Sequence, residues 1–154
     1  MKTKELAEEK LGFNVVYGDT DSIMINTGTQ NLRESIEMGK KLKQEVNVLY
    51  KCLEIEIDGV FKSLLLLKKK KYAALKVDDF LAEGKSISKE IKGLDMVRRD
   101  WCNLSKVVGT KVLDEILSGK EREKIIMELN EYFNDTSRKM RENQIAVAQY
   151  IITK

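Results

Sequence analysis

The sequence predicts an α+β chain in which an antiparallel sheet with packed helices is followed by a helical segment. Between residues 13 and 25, apolar residues flank a polar stretch, which is typical of a β-hairpin. Between residues 32 and 50, and again from residue 101 onward, apolar residues recur every three or four positions, as in amphipathic helices. Residues 53–58 alternate apolar and acidic side chains, which predicts a strand with one solvated face.

Shorter signals predict the remaining elements. A helix over residues 3–10 is expected to end before Gly12, where a left-handed cap fits. Asn31 and Glu34 resemble a capping box at the start of the next helix. Three further strands are expected, at residues 60–67, 71–77 and 86–92. Trp101 and the apolar faces of both C-terminal helices, which Ser118 and Gly119 separate, are expected to be buried.

The composition excludes several classes of protein. The chain has 154 residues and no histidine, which excludes a Ser/His/Asp triad and a histidine metal ligand. The longest apolar run, at residues 63–67, is shorter than the ~20 residues that a membrane span needs, so no membrane association is expected. The net charge is only +3, but six lysines and no acid lie between Asp58 and Asp78. Such a cluster attracts polyanions, although lysine runs are also common on solvated edge strands.

Asp19 and Asp21 lie at the polar tip of the predicted hairpin. In an extended strand, alternate residues point to the same face, so the two carboxylates would share a small volume. Like charges this close repel each other unless a cation neutralises them, and carboxylate oxygens favour Mg²⁺ or Mn²⁺. The pair therefore predicts a divalent metal site, with an ordinary polar turn as the alternative.

Strand alternation also predicts the arrangement of the lysine cluster. It places Lys70 and Tyr72 on one face of a strand, and Lys69 and Lys71 on the other. Contact with nucleic acid through one of these faces is the functional interpretation. A solvated strand edge is the alternative.

Three motifs, in order along the chain, resemble family B DNA polymerases. Residues 17–22, Tyr-Gly-Asp-Thr-Asp-Ser, are similar to the YGDTDS signature of that family, whose palm holds two catalytic metal ions. Residues 68–75 resemble its KKxY motif, and residues 92–102 resemble the segment that joins palm to thumb. Residues 56–75 are most similar to the alpha branch of the family. The resemblance implies that residues 1–99 are the C-terminal part of a palm and that residues 100–154 begin a helical thumb.

The resemblance also implies a reaction and its partners. Family members extend a primer by nucleotidyl transfer with two Mg²⁺ ions, using a primer–template and deoxynucleoside triphosphates. By this resemblance Asp21 is a direct metal ligand, and Asp19 is the second catalytic carboxylate and a weaker candidate ligand. For the alpha branch it further implies a nuclear enzyme that works with a primase and an accessory subunit, extending an RNA or DNA primer on a DNA template.

The KKxY motif implies contacts with the primer–template. By resemblance, Lys70 reaches the minor groove near the primer end and Tyr72 contacts the primer backbone, while Lys69 and Lys71 face phosphates or neighbouring palm residues. Further candidates lie near the joint between palm and thumb, namely Lys92, Arg98 and Arg99. For the arginines, an internal ion pair with Asp100 is an equal alternative to phosphate contact.

Two parts of the family's active site have no counterpart in this sequence. One is a further aspartate in a Ser-Leu-Tyr-Pro-Ser type context, and the other is the nucleotide-binding fingers helix. We therefore expect a fragment of a larger subunit that does not synthesise DNA alone. Two other functions stay open: a non-catalytic basic DNA-binding module, and a metal-dependent phosphodiesterase. The phosphodiesterase needs additional acids near the hairpin, and the candidates are Glu54, Glu56 and Asp58.

Overall fold

The α+β fold class is confirmed by a computed structural model that describes residues 2–50, 52–79 and 86–152. The elements in chain order are α1 (Lys2–Glu5), a π-helical turn (Leu6–Lys10), β1 (Asn14–Gly18), β2 (Ile23–Asn26), α2 (Leu32–Leu49), β3 (Val60–Lys68), β4 (Lys71–Val77), β5 (Ile87–Lys92), α3 (Asn103–Leu117) and α4 (Arg122–Arg141). Short 3-10 turns lie at Asp95–Val97 and Val147–Gln149. Within the described ranges, no helix is both long and apolar enough to cross a membrane.

The strands form two sheets, β1-β2 and β3-β4-β5. The chain divides into two compact units, and the division passes through all three strands of the larger sheet. The first unit contains residues 1–62 and 76–88, and the second contains residues 63–75 and 89–154. The palm-to-thumb boundary expected near residue 100 stays a prediction.

The core of the first unit lies between α2 and the β1-β2 hairpin. Leu42 and Val46, one helical turn apart on α2, are 5% and 1% exposed. Half-buried residues of the hairpin pack against them, including Val15, Ile23 and Ile25. The hairpin is therefore anchored to the helix by its apolar face.

Asn31 caps α2, as the sequence predicts. Its side-chain oxygen accepts a hydrogen bond from the backbone N–H of Arg33 at 3.0 Å. Glu34 accepts from the side-chain amide of Asn31 at 2.9 Å and from the hydroxyl of Thr29 at 2.7 Å. The cap thus differs from a standard capping box, in which Glu34 would accept from the backbone N–H of Asn31.

Residues 53–58 do not form the predicted strand. The alternation is present, because Ile55 and Ile57 are half-buried while the acids between them are exposed. The backbone of Ile55, however, bonds to the side chain of Asn47 on α2, with distances of 2.8 Å from its N–H and 3.3 Å to its carbonyl. A single side chain therefore satisfies the groups that a neighbouring strand would have paired.

The core of the second unit lies between α3 and the larger sheet. Leu113 and Leu117 of α3 are buried with Ala73 of β4 and with Leu94, which follows β5. An ion pair between Lys89 and Asp114 adds a polar link between β5 and α3. The four-residue periodicity of the sequence predicted a face made of Leu104, Val108, Val112 and Ile116, whereas the buried residues are the neighbouring Leu113 and Leu117, and Ile116 is exposed.

The expectation that Trp101 and both C-terminal apolar faces are buried is wrong for much of that surface. Trp101 is 44% exposed, and no residue of α4 is buried. Trp101, Phe133 and Met140 line an open apolar groove of about 480 Å³ between α3 and α4. The reason is that α3 buries Leu113 and Leu117 against the sheet, while the open groove leaves the facing apolar side chains of α3 and α4 partly exposed.

Glu115, near the end of α3, is a buried acid in an ion-pair cluster. Its carboxylate accepts hydrogen bonds from Lys111 at 2.5 Å and from Lys120 at 2.7 Å. Lys120 also donates to Glu128 of α4. The hydrogen bonds from Lys111 and Lys120 lower the pKa of Glu115 to about 2. The cluster therefore connects the end of α3 to the first turns of α4, and the lowered pKa keeps Glu115 charged in mild acid.

We expect Glu115→Gln to lower the free energy of unfolding of the 154-residue chain at neutral pH, because two lysines lose their buried charged partner. The lowered pKa sets the sign of the pH dependence. The stabilisation is full above the unfolded-state pKa of about 4.5 and disappears as the pH falls toward 2. Urea unfolding over this pH range measures both effects. Glu131→Gln, at an exposed position of α4, is the control, and an unchanged acid dependence in Glu115→Gln would contradict the assignment.

We expect Asn47→Ala to destabilise the chain by about 1–3 kcal/mol, because it leaves two backbone groups of Ile55 without their partner. It should also speed hydrogen exchange at the Ile55 amide. Gln44→Ala, at an exposed position on the same helix, controls for the change in helix propensity. Equal exchange at Ile55 in both variants would show that Asn47 does not hold the segment.

Candidate functional site

The tip of the β1-β2 hairpin is a tight turn held by its own hydrogen bonds. The backbone N–H of Asp19 donates to the carbonyl of Ser22 at 2.8 Å and closes the turn. Below it, the strands pair antiparallel with a register shift between Val15 and Tyr17. Such a bulge changes the direction of the side chains that follow it. The predicted hairpin with a polar tip is confirmed.

Asp19 uses its carboxylate to stabilise this turn. One oxygen accepts from the hydroxyl of Tyr17 at 3.0 Å, and the other accepts from the backbone N–H of Thr20 at 2.8 Å. Tyr17 lies just after the bulge. Asp19 is therefore oriented by the residues on both sides of it in the chain.

Asp21 differs from Asp19 in its surroundings. It is exposed, and among the described residues no hydrogen bond or ion pair is found for its carboxylate. Contrary to the prediction from the sequence, strand alternation does not place both acids on one face, because residues 19–22 lie outside the strands and bend at Thr20 and Asp21. The turn itself brings the two acids to the same tip. The carboxylate of Asp21 is accessible to a ligand.

The donor set at the hairpin tip is incomplete for a pair of metal ions. Within residues 2–50, 52–79 and 86–152, no three Asp, Glu or Cys side chains form a group that could hold a metal. Of the acids that the phosphodiesterase interpretation requires, Glu56 forms an ion pair with Lys43 of α2 at 3.0 Å. The two hard carboxylates suit a divalent cation, but two ions need more ligands than this tip supplies.

The lysine cluster lies at the turn between β3 and β4. Lys69 and Lys70 form the turn, while Lys68 ends β3 and Lys71 begins β4. The predicted alternation of faces for Lys69 and Lys70 is therefore wrong, because these residues are not in a strand. Lys70 has a φ of 62°, in the left-handed region that residues with a Cβ rarely adopt. Both turn lysines are exposed.

Tyr72 is held beneath this turn by an ionic pair from β5. It is 5% exposed, and its hydroxyl donates to Glu90 at 2.7 Å. The ammonium of Lys92 lies 3.1 Å from Glu90 and 5.7 Å from the centre of the Tyr72 ring. Burial and the hydrogen bond to Glu90 raise the pKa of Tyr72, and hydrogen bonding to Tyr72 and Glu90 raises that of Lys92. Tyr72 is therefore a neutral, oriented phenol, and Lys92 stays a cation.

A second ionic chain links β4 to the segment after β5. Lys71 pairs with Asp95 at 3.2 Å, and Arg98 pairs with Asp100 at 3.1 Å and lies 4.0 Å from Asp95. The alternative of an internal ion pair is therefore observed for Arg98. Arg99 is exposed and forms no ion pair within the part of the chain that the structure describes.

The predicted basic residues and Tyr72 all belong to the second unit, whereas Asp19 and Asp21 belong to the first unit. Residues that the sequence analysis did not single out contact some of the basic residues, namely Glu90, Gly93 and Asp95. The sequence contains only a weak signal for these three residues. Glu90 and Lys92 are two apart on a predicted strand and so share a face, but nothing in the sequence assigns Tyr72 as their partner.

Comparison with known proteins places these motifs in a family. The sequence profile of DNA polymerase family B matches residues 1–154. The catalytic subunit of DNA polymerase alpha from Sterkiella nova is 64% identical over 155 residues, and that from Mus musculus is 50% identical over 155 residues. Each alignment covers 100% of this chain and 10% of the relative. The chain thus spans about a tenth of the length of these relatives.

A solved structure supports the fold. The family B DNA polymerase from the hyperthermophilic archaeon Pyrobaculum calidifontis superposes with a TM-score of 0.68 and 24% identity, covering 98% of this chain and 17% of that one. The profile match over the whole chain includes both the YGDTDS turn and the lysine turn. The chain belongs to DNA polymerase family B.

Proposed function

We propose that this chain is the palm and thumb portion of a DNA-directed DNA polymerase of the alpha type, which extends primers by nucleotidyl transfer. The main observation is the exposed Asp21 in a YGDTDS turn that rests on the core of α2. A catalytic carboxylate needs access to solvent and a rigid support, and this turn has both. The relatives named as catalytic subunits of DNA polymerase alpha support the same assignment.

Asp21, with Asp19 beside it, is the proposed site for Mg²⁺. Their oxygens are hard donors that favour this ion. When bound, such ions activate the attacking hydroxyl and neutralise charge on the triphosphate. Asp19 orients the turn through Tyr17 and Thr20, and Asp21 offers its carboxylate outward. Because further ligands are required, we propose that the 154-residue chain alone is inactive.

The lysine turn is the proposed contact with the primer–template. Lys69 and Lys70 are exposed at the turn, while Lys71 is held by Asp95. Tyr72 is nearly buried and its hydroxyl donates to Glu90, so in this proposal it supports the turn, and any contact with the primer backbone is limited to its small exposed part. Lys92, Arg98 and Arg99 extend the positive surface, with Arg99 the arginine not engaged by a neighbouring acid within the described ranges.

The wider biological setting is part of the same proposal. By analogy with the alpha branch, the complete subunit works in the nucleus with a primase and an accessory subunit. Its substrates are deoxynucleoside triphosphates and an RNA or DNA primer paired with a DNA template.

We expect Asp21→Asn in the full-length subunit to lower primer extension by at least about 100-fold, the loss that even outer-shell partners of a metal can cause. Binding of primer–template in the absence of metal should stay within about twofold, since the charge change is small compared with the DNA interface. Steady-state extension assays and fluorescence anisotropy measure the two quantities. Asp58→Asn, at an exposed acid outside the turn, is the control. Full activity in Asp21→Asn would contradict the metal role.

We expect Lys70→Ala in the full-length subunit to weaken primer–template binding and to reduce the slope of log K against log[salt] by about 0.9, the value for one lost phosphate contact. Anisotropy titrations at several salt concentrations measure the slope. Lys62→Ala, at an exposed lysine of β3, is the matched control. Identical slopes for both variants and the wild type would place the DNA contact elsewhere.

A further inference from the structure

The end of β5 touches the backbone of the lysine turn. Gly93 directly follows β5 and has a φ of 65°. A Cβ built at this position would lie 2.1 Å from the carbonyl oxygen of Lys70 and 3.3 Å from Cγ of Lys71. The first distance is far below any real contact, and the obstructing atom belongs to the backbone. Only a residue without a side chain fits at this position.

Close approach distinguishes Gly93 from the other glycines with the same backbone conformation. Gly12, Gly28 and Gly119 also have positive φ, but a Cβ at any of them would meet no atom within 4 Å. Those three need only the conformational freedom of glycine. Gly93 needs that freedom and also the space beside Lys70.

Lys70 is itself in a conformation that needs external support. A residue with a Cβ at a φ of 62° is strained and persists only where its surroundings hold it. The carbonyl of Lys70 is the atom against which Gly93 packs. The backbone of Gly93 therefore helps to hold Lys70 in its left-handed conformation.

Side chains of the same segment hold the next two residues. Asp95 pairs with Lys71 at 3.2 Å, and Glu90 accepts from the hydroxyl of Tyr72 at 2.7 Å. Three consecutive residues, Lys70 to Tyr72, are thus each contacted by residues 90–95. We call residues 90–95 the β5 clamp.

We propose that Gly93 is a positioning residue, which sets the direction of Lys70 toward nucleic acid through the backbone contact in the β5 clamp. This inference rests on the proposed function, in which Lys70 contacts the primer–template. A side chain at Gly93 has to displace the carbonyl of Lys70 by roughly 1 Å. In enzymes, a misplacement of that size can lower the reaction rate about 100-fold.

The decisive experiment compares Gly93→Ala with Gly119→Ala in the full-length subunit. Both substitutions strain a left-handed glycine, but only the first creates a clash. We expect Gly93→Ala to raise the Kd for primer–template by about 10-fold, the size of one lost charge-assisted contact, and Gly119→Ala to change it by less than about 3-fold. In a Lys70→Ala background, the effect of Gly93→Ala should disappear, because both substitutions remove one contact. An undiminished effect in that background would overturn the proposal.

Hydrogen exchange separates this inference from the proposed function. Peptides spanning the lysine turn should exchange faster in Gly93→Ala than in Gly119→Ala, with or without DNA. If exchange rises while neither Gly93→Ala nor Lys70→Ala changes the Kd, the clamp holds the turn and the proposed DNA contact of Lys70 is wrong. If exchange is unchanged, the positioning role of Gly93 is wrong whatever the Kd.

A milder variant keeps the test valid if Gly93→Ala fails to fold. Asp95→Asn removes the charged partner of Lys71 without adding atoms, and Asp100→Asn is its control because, among the described residues, Asp100 pairs with Arg98 and not with Lys71. We expect Asp95→Asn to speed exchange in the lysine turn and to weaken DNA binding several-fold more than Asp100→Asn. Equal behaviour of the two variants would overturn the role of the clamp.

Discussion

Each unit of this chain depends on a helix that covers the apolar face of a sheet. A two-stranded hairpin is marginal in water, so β1 and β2 need the buried surface that Leu42 and Val46 of α2 provide. In the second unit, Leu113 and Leu117 of α3 do the same for the larger sheet. The two candidate turns lie at the ends of these supported strands. Their rigidity follows from this packing, because the turns themselves contain mostly polar and charged residues.

Each candidate turn holds one side chain through bonds to nearby residues and has a second side chain of the same type that is exposed. In the hairpin tip, Asp19 accepts hydrogen bonds from Tyr17 and Thr20 while Asp21 is exposed. In the lysine turn, Asp95 holds Lys71, and the neighbouring Lys70 is exposed. Two residues of the same type, one or two positions apart, therefore differ in their surroundings within each turn.

The net charge of the whole chain is only +3, but many charged side chains of the second unit are arranged in ion pairs. Several of the cations that resemble DNA-binding residues already pair with acids of this chain, as Lys92 does with Glu90 and Arg98 with Asp100. Exposed pairs of this kind contribute little to stability. They orient long side chains, and a phosphate has to compete with the acid for the cation. This competition makes Arg99, which forms no ion pair among the described residues, a stronger candidate for contact with nucleic acid than Arg98.

The sequence alone determined the fold class, the hairpin, the helices and the family. Helices and hairpins follow from the periodicity of nearby residues, and the family follows from short motifs, so both can be read without knowing distant contacts. The sequence failed at residues 53–58, where the alternation is that of a strand but Asn47 supplies the backbone hydrogen bonds. It also failed for the faces of Lys69 and Lys70, since a turn has no alternation. Only the tertiary structure decided that Glu90 holds Tyr72 and that Gly93 packs on Lys70. These contacts join residues some twenty positions apart, and their partners are set by strand pairing, which no local pattern encodes.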